Sequence, residues 1–301
     1  MQGRIDLATV ESSVSIIIPV FNSQSTLVEC LYALERQTVQ GFETILIDSS
    51  PSDACEHIVA AQFPSVRYEH VPHRMLPHAA RNLGAQRASG AILVFSDPDV
   101  YASPNWLECM LAVHAQYRGV VIGSVECYGD SWSAIGIHLA KFDIFLPGGA
   151  IRQLPIAPTL NMLCPRDIFD AIGGFEGDHM IGDTIFGWDL IAKGYPITFA
   201  PEAVVDHHHT GGLGGLLKER YARGREFSQL RAAHFRWSRW RIAWQLLVTV
   251  LPLRWLNLVR RTLGASLGAG VFKRFLLTLP VVACGHAFWL LGEVRGLIDA
   301  F

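Results

Sequence analysis

Asp97-Pro98-Asp99 sets two carboxylates two residues apart, directly behind the apolar run Ile92-Leu-Val-Phe-Ser96. Oxygen donors at that spacing suit a hard divalent cation, Mg²⁺ or Mn²⁺, which bridges to phosphate oxygens and neutralises a diphosphate as it leaves. Turns are rich in Asp, so the pair alone also reads as a capped turn before the helix that Pro104 opens. Another carboxylate, Asp48, stands just past a second apolar run, Thr44-Ile-Leu-Ile47.

The spacing of apolar residues supplies the scaffold for these groups. Val14-Ser-Ile-Ile-Ile-Pro-Val20 is a β-branched run broken by proline and reads as a buried strand. Asn22 and Ser23 start a turn, after which Leu27, Cys30, Leu31 and Leu34 share one face of a helix over 25–37. A strand ends at Asp48, a Ser/Pro/Asp loop caps a second helix, and 66–70 is a weaker strand. A helix over 79–88 stops at Gly90, a strand runs to Ser96, a helix covers 105–117 and a strand 120–125. This alternation predicts an α/β fold with a mostly parallel central sheet. Ligands of such sheets sit at the carboxyl ends of the strands. Asp48, Asp97 and Asp99 all fall there.

Farther along the pattern weakens. Residues 130–157 are rich in Gly, Pro and aromatics and read as loops with short strands. Helices are expected over 166–172 and 183–193, a strand over 197–199, a His/Gly-rich loop over 206–215 and a basic helix from 216 to 233. Two apolar segments follow. Residues 242–253 are too short for the roughly 20 residues of a membrane span, and 275–292 is interrupted by Pro280, Gly285 and His286. Arg254, Arg260, Arg261, Lys273 and Arg274 lie between them, with Trp237, Trp240, Trp244 and Trp255 nearby. Arg beside Trp around apolar stripes predicts helices that lie on a membrane surface. A subdomain packed on the body or on a second copy, as a homo-oligomer, is the alternative.

Over 301 residues, 50% are hydrophobic and 17% charged, with a mean hydropathy of +0.26. A soluble domain carries roughly 25% charged residues. The composition excludes disorder, collagen-like repeats and a disulfide-stapled mini-protein. Residues 1–212 carry a net charge of -12 and residues 213–301 a net of +10. A basic tail meets anions such as lipid headgroups or phosphates, while its apolar length argues against nucleic acid. MQGRIDLATVESS is not a basic region followed by an apolar one, so the body is expected in the cytoplasm. Cys30, Cys55, Cys109, Cys127, Cys164 and Cys284 are scattered without a C-x-x-C pair, which predicts reduced thiols and no zinc site built from them.

Taken in order, Ile18-Pro-Val-Phe-Asn22, Leu46-Ile-Asp48, Ala80-Arg-Asn-Leu-Gly84, Asp97-Pro-Asp99, Gly173-Gly-Phe-Glu176 and Gly182-Asp183 resemble the family-2 glycosyltransferases. The resemblance runs from about 14 to 209. It implies a GT-A nucleotide-sugar-binding domain over 1–212, with a nucleotide half at about 14–128 and an acceptor half at about 129–212, followed by a helical extension over 213–301. It implies inverting transfer from a nucleotide-diphosphate sugar with a divalent cation, Mn²⁺ or Mg²⁺. Pro19, Val20 and Asn22 are then expected against the nucleotide, and Asp48 accepts a hydrogen bond from the base, usually uracil. Arg81 of the Arg81-Asn82 pair reaches the diphosphate. Asp97 and Asp99 form the nucleotide and cation motif, with Asp99 the direct ligand. Asp183 matches the carboxylate that deprotonates the acceptor hydroxyl. One or more of His207, His208 and His209 is implied as a cation ligand, and spacing does not rank them. Gly211-Gly-Leu-Gly-Gly215 reads as a segment that orders over bound donor.

Each assignment has a plainer counterpart: helix caps for Asp48 and Asp183, a surface ion pair for Arg81, a solvated loop for the histidines. Departures from the family pattern also count. Ser49 replaces a second acidic residue, Gly182 replaces the first carboxylate of the Glu-Asp pair, and Ala233 stands where a processive synthase has Gln before Arg236-Trp237. The expected reaction is therefore addition of one sugar, from a UDP-sugar, to a lipid-linked or cell-envelope glycan at the inner face of the membrane. A non-catalytic sugar-nucleotide-binding or scaffold protein is the rival, motivated by Gly182 and Ser49. A nucleotidyltransferase ranks below both, because Pro19-Val-Phe-Asn-Ser-Gln24 offers no basic residue for a triphosphate.

Overall fold

The computed structural model describes residues 14–209 and 211–301, so the reading of the first 13 residues lies outside it. β1 (Val14–Val20) is buried along its whole length, as a β-branched run enclosed on both faces requires. It pairs in parallel with β2 (Glu43–Asp48) on one side and β4 (Ile92–Ser96) on the other, and β2 pairs in parallel with β3 (Arg67–His70). The connecting helices are α1 (Leu27–Glu35), α2 (Ala54–Gln62) and α3 (Pro77–Arg87). α3 lies close against the sheet because Gly84 has no side chain: a Cβ there would sit 2.4 Å from Ile17 Cγ2.

Beyond β4 the sheet continues with antiparallel strands. β5 (Val100–Ala102), α4 (Trp106–Tyr117), β6 (Val120–Cys127), β7 (Arg152–Gln153), β8 (Asn161–Pro165), α6 (Arg166–Ile172), α7 (Gly182–Ala192) and β9 (Ile197–His207) complete this half. The strand order is β3-β2-β1-β4-β8-β6-β9-β5, with β7 beside β9. Asn161 ties three strands together: its amide donates to the carbonyls of Ser124 (2.8 Å) and Ala203 (3.1 Å) and accepts from the Trp106 indole (2.7 Å). Every one of these polar atoms is buried and partnered, which makes the joint specific as well as stable.

The chain divides into two compact units, 14–124 with 150–207, and 125–149 with 208–301. Residues 125–149 therefore group with the C-terminal helices in this division. They include a helix, α5 (Trp132–Phe142), where loops were expected. Ser131 caps it, its Oγ accepting from the Ala134 N–H at 3.2 Å.

The rest of the second unit is helical: α8 (Leu213–His234), α9 (Arg239–Val250), α10 (Pro252–Gly268) and α11 (Phe272–Asp299). Pro252 takes the first position of α10, and the chain turns by 65° between α9 and α10. α11 runs on through Pro280, contrary to the expected interruption. Proline removes one N–H and disturbs the preceding turn. There the Trp132 indole donates to the Leu277 carbonyl at 2.7 Å. Gly292 and Gly296 bring α11 against α8, with carbonyls of Tyr221 and Arg225 in the space that side chains would need.

Candidate active site

Pro98 occupies the second position of a turn in which the Val100 N–H donates to the Asp97 carbonyl at 3.2 Å. The turn leads β4 into β5 and exposes both Asp97 and Asp99 in part. β5 runs antiparallel to β9 with Val100 opposite His207, and this register brings His207 Nε2 to 3.9 Å from Asp99 Oδ2. Two carboxylates and one imidazole form a donor set that fits Mn²⁺ or Mg²⁺.

Asp97 is also ion-paired with Arg81 on α3. The Arg81 side chain is only 3% exposed, and its Nε has no hydrogen-bond partner among the described residues. A buried guanidinium with an unused N–H beside a carboxylate pair is suited to an anion that arrives with a cation. On the other side, burial pushes the Cys30 thiol far up, with the charges of Asp99 and Asp97 adding to it.

Asp183 stands in the first turn of α7, the end of a helix that favours negative charge. His78, which the sequence did not single out, approaches it from α3: His78 Nε2 lies 3.8 Å from Asp183 Oδ1. The other ring nitrogen, Nδ1, is 3.5 Å from Arg81 Nη1. The Asp183 backbone N–H donates to the same Nε2 at 3.4 Å, so His78 meets both the start of α7 and the Asp183 carboxylate. The Thr159 N–H approaches the other oxygen, Oδ2, at 3.4 Å. His78 thus links the carboxylate of α7 to the arginine that pairs with Asp97.

Gly182 explains one departure from the family pattern. A Cβ at this position would lie 2.3 Å from the Glu176 carbonyl oxygen and 3.0 Å from the His78 ring. The space of the missing carboxylate is filled by backbone and by His78.

At the ends of β1 and β2, Pro19 lies opposite Ile47 and Val20 opposite Asp48. The Val20 carbonyl accepts from the Ser49 N–H at 3.0 Å. Asn22, in the left-handed region at φ 53°, donates its N–H to Ser50 Oγ at 2.8 Å. Asp48 is fully buried and accepts from the Ser50 N–H and the Tyr68 hydroxyl, both at 2.7 Å. Burial raises the Tyr68 hydroxyl pKa well above its ordinary value, and the bond to Asp48 adds to the shift. Asp48 thereby organises the 49–50 loop. The Asn82 amide donates to the Phe175 carbonyl at 2.7 Å and accepts the Phe175 N–H at 2.9 Å. Both ends of the amide hold the loop before α7.

The histidine triplet divides between the units. His207 belongs to the first, with Asp99, while His208 and His209 belong to the second. There His208 packs on Tyr128, and His209 Nε2 lies 3.2 Å from His138 Nδ1. Burial lowers His138 to about 4 against the bond to the Val125 carbonyl, and lowers His209 to about 3, with the neighbouring His138 charge adding to it.

A sheet whose strand ends gather carboxylates around a buried arginine, with an acidic helix start opposite, defines the GT-A class of α/β transferases. The fold agrees with solved structures. A mannosyltransferase of Pyrobaculum calidifontis, held with GDP-Man and Mn²⁺, superposes with a TM-score of 0.57 at 19% identity, covering 95% of this chain and 87% of that one. Residues 1–349 of S. aureus TarS, held with UDP-GlcNAc, give 0.53 at 15% identity, covering 93% and 90%. By sequence, residues 15–176 match the model of glycosyl transferase family 2 and residues 139–291 that of glycosyl transferase family group 2, so the chain belongs to glycosyl transferase family 2. It is a glycosyltransferase. Among its relatives is the glycosyltransferase AglE of Haloferax volcanii, 29% identical over 70% of this chain and 72% of AglE. The validoxylamine A glucosyltransferase of Streptomyces hygroscopicus subsp. jinggangensis is 29% identical over 63% of this chain and 54% of its own length.

Proposed function

We propose that this chain is an inverting, divalent-cation-dependent glycosyltransferase that adds one sugar from a nucleotide-diphosphate donor, a UDP-sugar, to a lipid-linked or cell-envelope glycan. The observation that carries the reading is the linked set Asp183–His78–Arg81–Asp97, with Asp99 and His207 beside it. In it Asp97, Asp99 and His207 hold the cation, which offsets the charge of the diphosphate when bound. Arg81 turns its unused Nε–H to the same anion. Asp183 accepts the proton of the acceptor hydroxyl as that oxygen bonds to the anomeric carbon. The bond from that carbon to the diphosphate breaks, and its electron pair leaves on the nucleoside diphosphate. His78, packed against Asp183 and its backbone N–H, holds the start of α7 and with it the carboxylate in place. Bound GDP-Man with Mn²⁺ and bound UDP-GlcNAc in proteins of the same fold support a nucleotide-sugar donor.

Donor turnover with Mn²⁺ tests the roles. Asp183→Asn is expected to abolish transfer while UDP still binds, and Asp99→Ala to abolish the Mn²⁺ dependence of binding. The anomeric configuration of the product reads inversion directly. A wild-type protein that binds UDP but turns over none of the UDP-, GDP- or dTDP-sugars with acceptor present would favour the non-catalytic reading that Gly182 motivates.

We also propose that the second unit lies on the inner face of the membrane. On α9, Trp240, Trp244, Leu247 and Val250 recur at helical spacing and are exposed, Trp240 at 87%, and Leu253 at the start of α10 is 66% exposed. α11 is long and apolar enough to cross a membrane, yet 44% of its most apolar 18 residues is buried within the protein. Flotation with anionic liposomes tests this: protein left at the bottom at low salt refutes it.

A further inference from the structure

The second unit contains a cluster of three metal-ligating side chains that the roles proposed above do not use. Cys127 ends β6, His138 sits on the buried side of α5, and His209 follows β9. The Cys127 sulfur and one nitrogen of each histidine lie within 4.8 Å of one another. No sequence motif announces them, since 11 and 71 residues separate the three in turn.

We infer that Cys127, His138 and His209 form a second cation site, for a borderline-soft transition ion such as Zn²⁺, separate in its ligands from the carboxylate site. The orientation of His138 is the first reason. Its Nε2 lies 3.1 Å from the Val125 carbonyl, which only accepts, so Nε2 carries the proton and Nδ1 presents its lone pair to the cluster. A ligating histidine is held in this way, one nitrogen donating to a carbonyl and the other to the metal. The distance between the facing nitrogens is the second reason. At 3.2 Å, with Zn–N bonds of about 2.0–2.1 Å, the two nitrogens would subtend roughly 100° at the ion, near the tetrahedral angle. The third is the shell: Phe142 packs against both imidazoles, which shields the ion on one side.

A thiolate and two imidazoles select Zn²⁺ or Co²⁺ over Mg²⁺, leaving the fourth position to water. Binding would release the thiol proton to solvent. It would also tie the segment after β9 to α5 and to the end of β6, removing freedom from the chain that leads into α8. The simpler arrangement of the same atoms is a hydrogen bond from His209 to His138 with no ion, and the experiment separates the two.

The full-length protein, freed of metal with a chelator and kept reduced, is titrated with Co²⁺. The expected result is a thiolate-to-cobalt charge-transfer band with tetrahedral visible bands, saturating at one equivalent and displaced by Zn²⁺. Cys127→Ser is expected to remove the charge-transfer band. Cys127 is only partly buried, so this change leaves the fold intact, which circular dichroism checks. His138→Gln and His209→Gln are expected to weaken Co²⁺ binding at least tenfold. Asp99→Ala is expected to leave the band unchanged, because carboxylates give no thiolate transition; this arm stands whether or not the catalytic reading holds. No band, a band that survives Cys127→Ser, or one indifferent to both histidine changes would overturn the inference.

Discussion

Gly182 offers a sharp test of how the candidate site is packed. Adding one methyl group there puts a carbon 2.3 Å from the Glu176 carbonyl oxygen, about 1 Å inside ordinary contact, and 3.0 Å from the His78 ring. The obstruction on one side is backbone, so relief must come from moving the start of α7 or His78. Overpacking of this kind costs about 1–3 kcal/mol. For a chain of this size each kcal/mol lowers the melting temperature by roughly 2–4 °C, so the melting temperature of Gly182→Ala is expected to fall by about 2–12 °C. Gly264 provides an internal control of opposite sign. It lies exposed within α10, with no atom within 4 Å of the place a Cβ would take, and Gly264→Ala removes unfolded-state freedom, raising stability by about 0.5–1 kcal/mol. Thermal unfolding followed by circular dichroism measures both, and donor turnover measures whether Asp183 is disturbed. Gly182→Glu, which restores the family's residue, is expected to lower turnover and not to raise it. A Gly182→Ala protein that melts within about 1 °C of wild type would refute the packing argument.

Further outcomes follow from other contacts. His78→Gln is expected to lower kcat by up to about a hundredfold while KM for donor changes little, because it misplaces Asp183 without removing it; an equal rise in KM would point to a binding role. Asp143, 1% exposed, accepts two hydrogen bonds from Arg261 at 2.9 and 3.0 Å and one from the Thr262 hydroxyl at 2.6 Å. Asp143→Ala strands these donors and should cost about 2–3 kcal/mol in urea unfolding, the low end for a buried pair because Arg261 is half exposed; Asp143→Asn should cost less than half as much. Burial pushes the Glu43 carboxyl up, but hydrogen bonds from Ser15, Ser89 and Arg67 outweigh it and hold it at about 2 against an ordinary 4.5. Its contribution is therefore complete above pH 4.5 and lost as pH falls toward 2, so urea midpoints of Glu43→Gln should vary less with pH across that window.

The first, parallel half of the sheet was legible because its strands are short, mostly apolar and separated by helices with one buried face. Asp48, Asp97 and Asp99 could be placed at strand ends from that pattern alone. α5 was not legible because Gly136 to Ala140 are all buried, which leaves no amphipathic stripe to read. Pro280 misled in the same region, since a proline inside a packed helix is tolerated when neighbours supply what the loosened turn lacks. His78 gave no signal: its partner Asp183 lies 105 residues away, and only the packing of α3 beside α7 joins them. The three histidines could not be ranked by spacing because the ranking comes from strand register. A shift of one residue between β5 and β9 would turn a different side chain toward Asp99.

The division of the histidine triplet has a practical side. The boundary between the two compact units falls between His207 and His208, so adjacent residues belong to different units. Their imidazole proton resonances are then a pair of built-in reporters, one for each unit, needing no introduced label. On heating or in denaturant, separate transitions at His207 and His209 would give the order in which catalytic body and helical tail come apart. A shared transition would mean that the peptide joining them carries cooperativity as well as sequence.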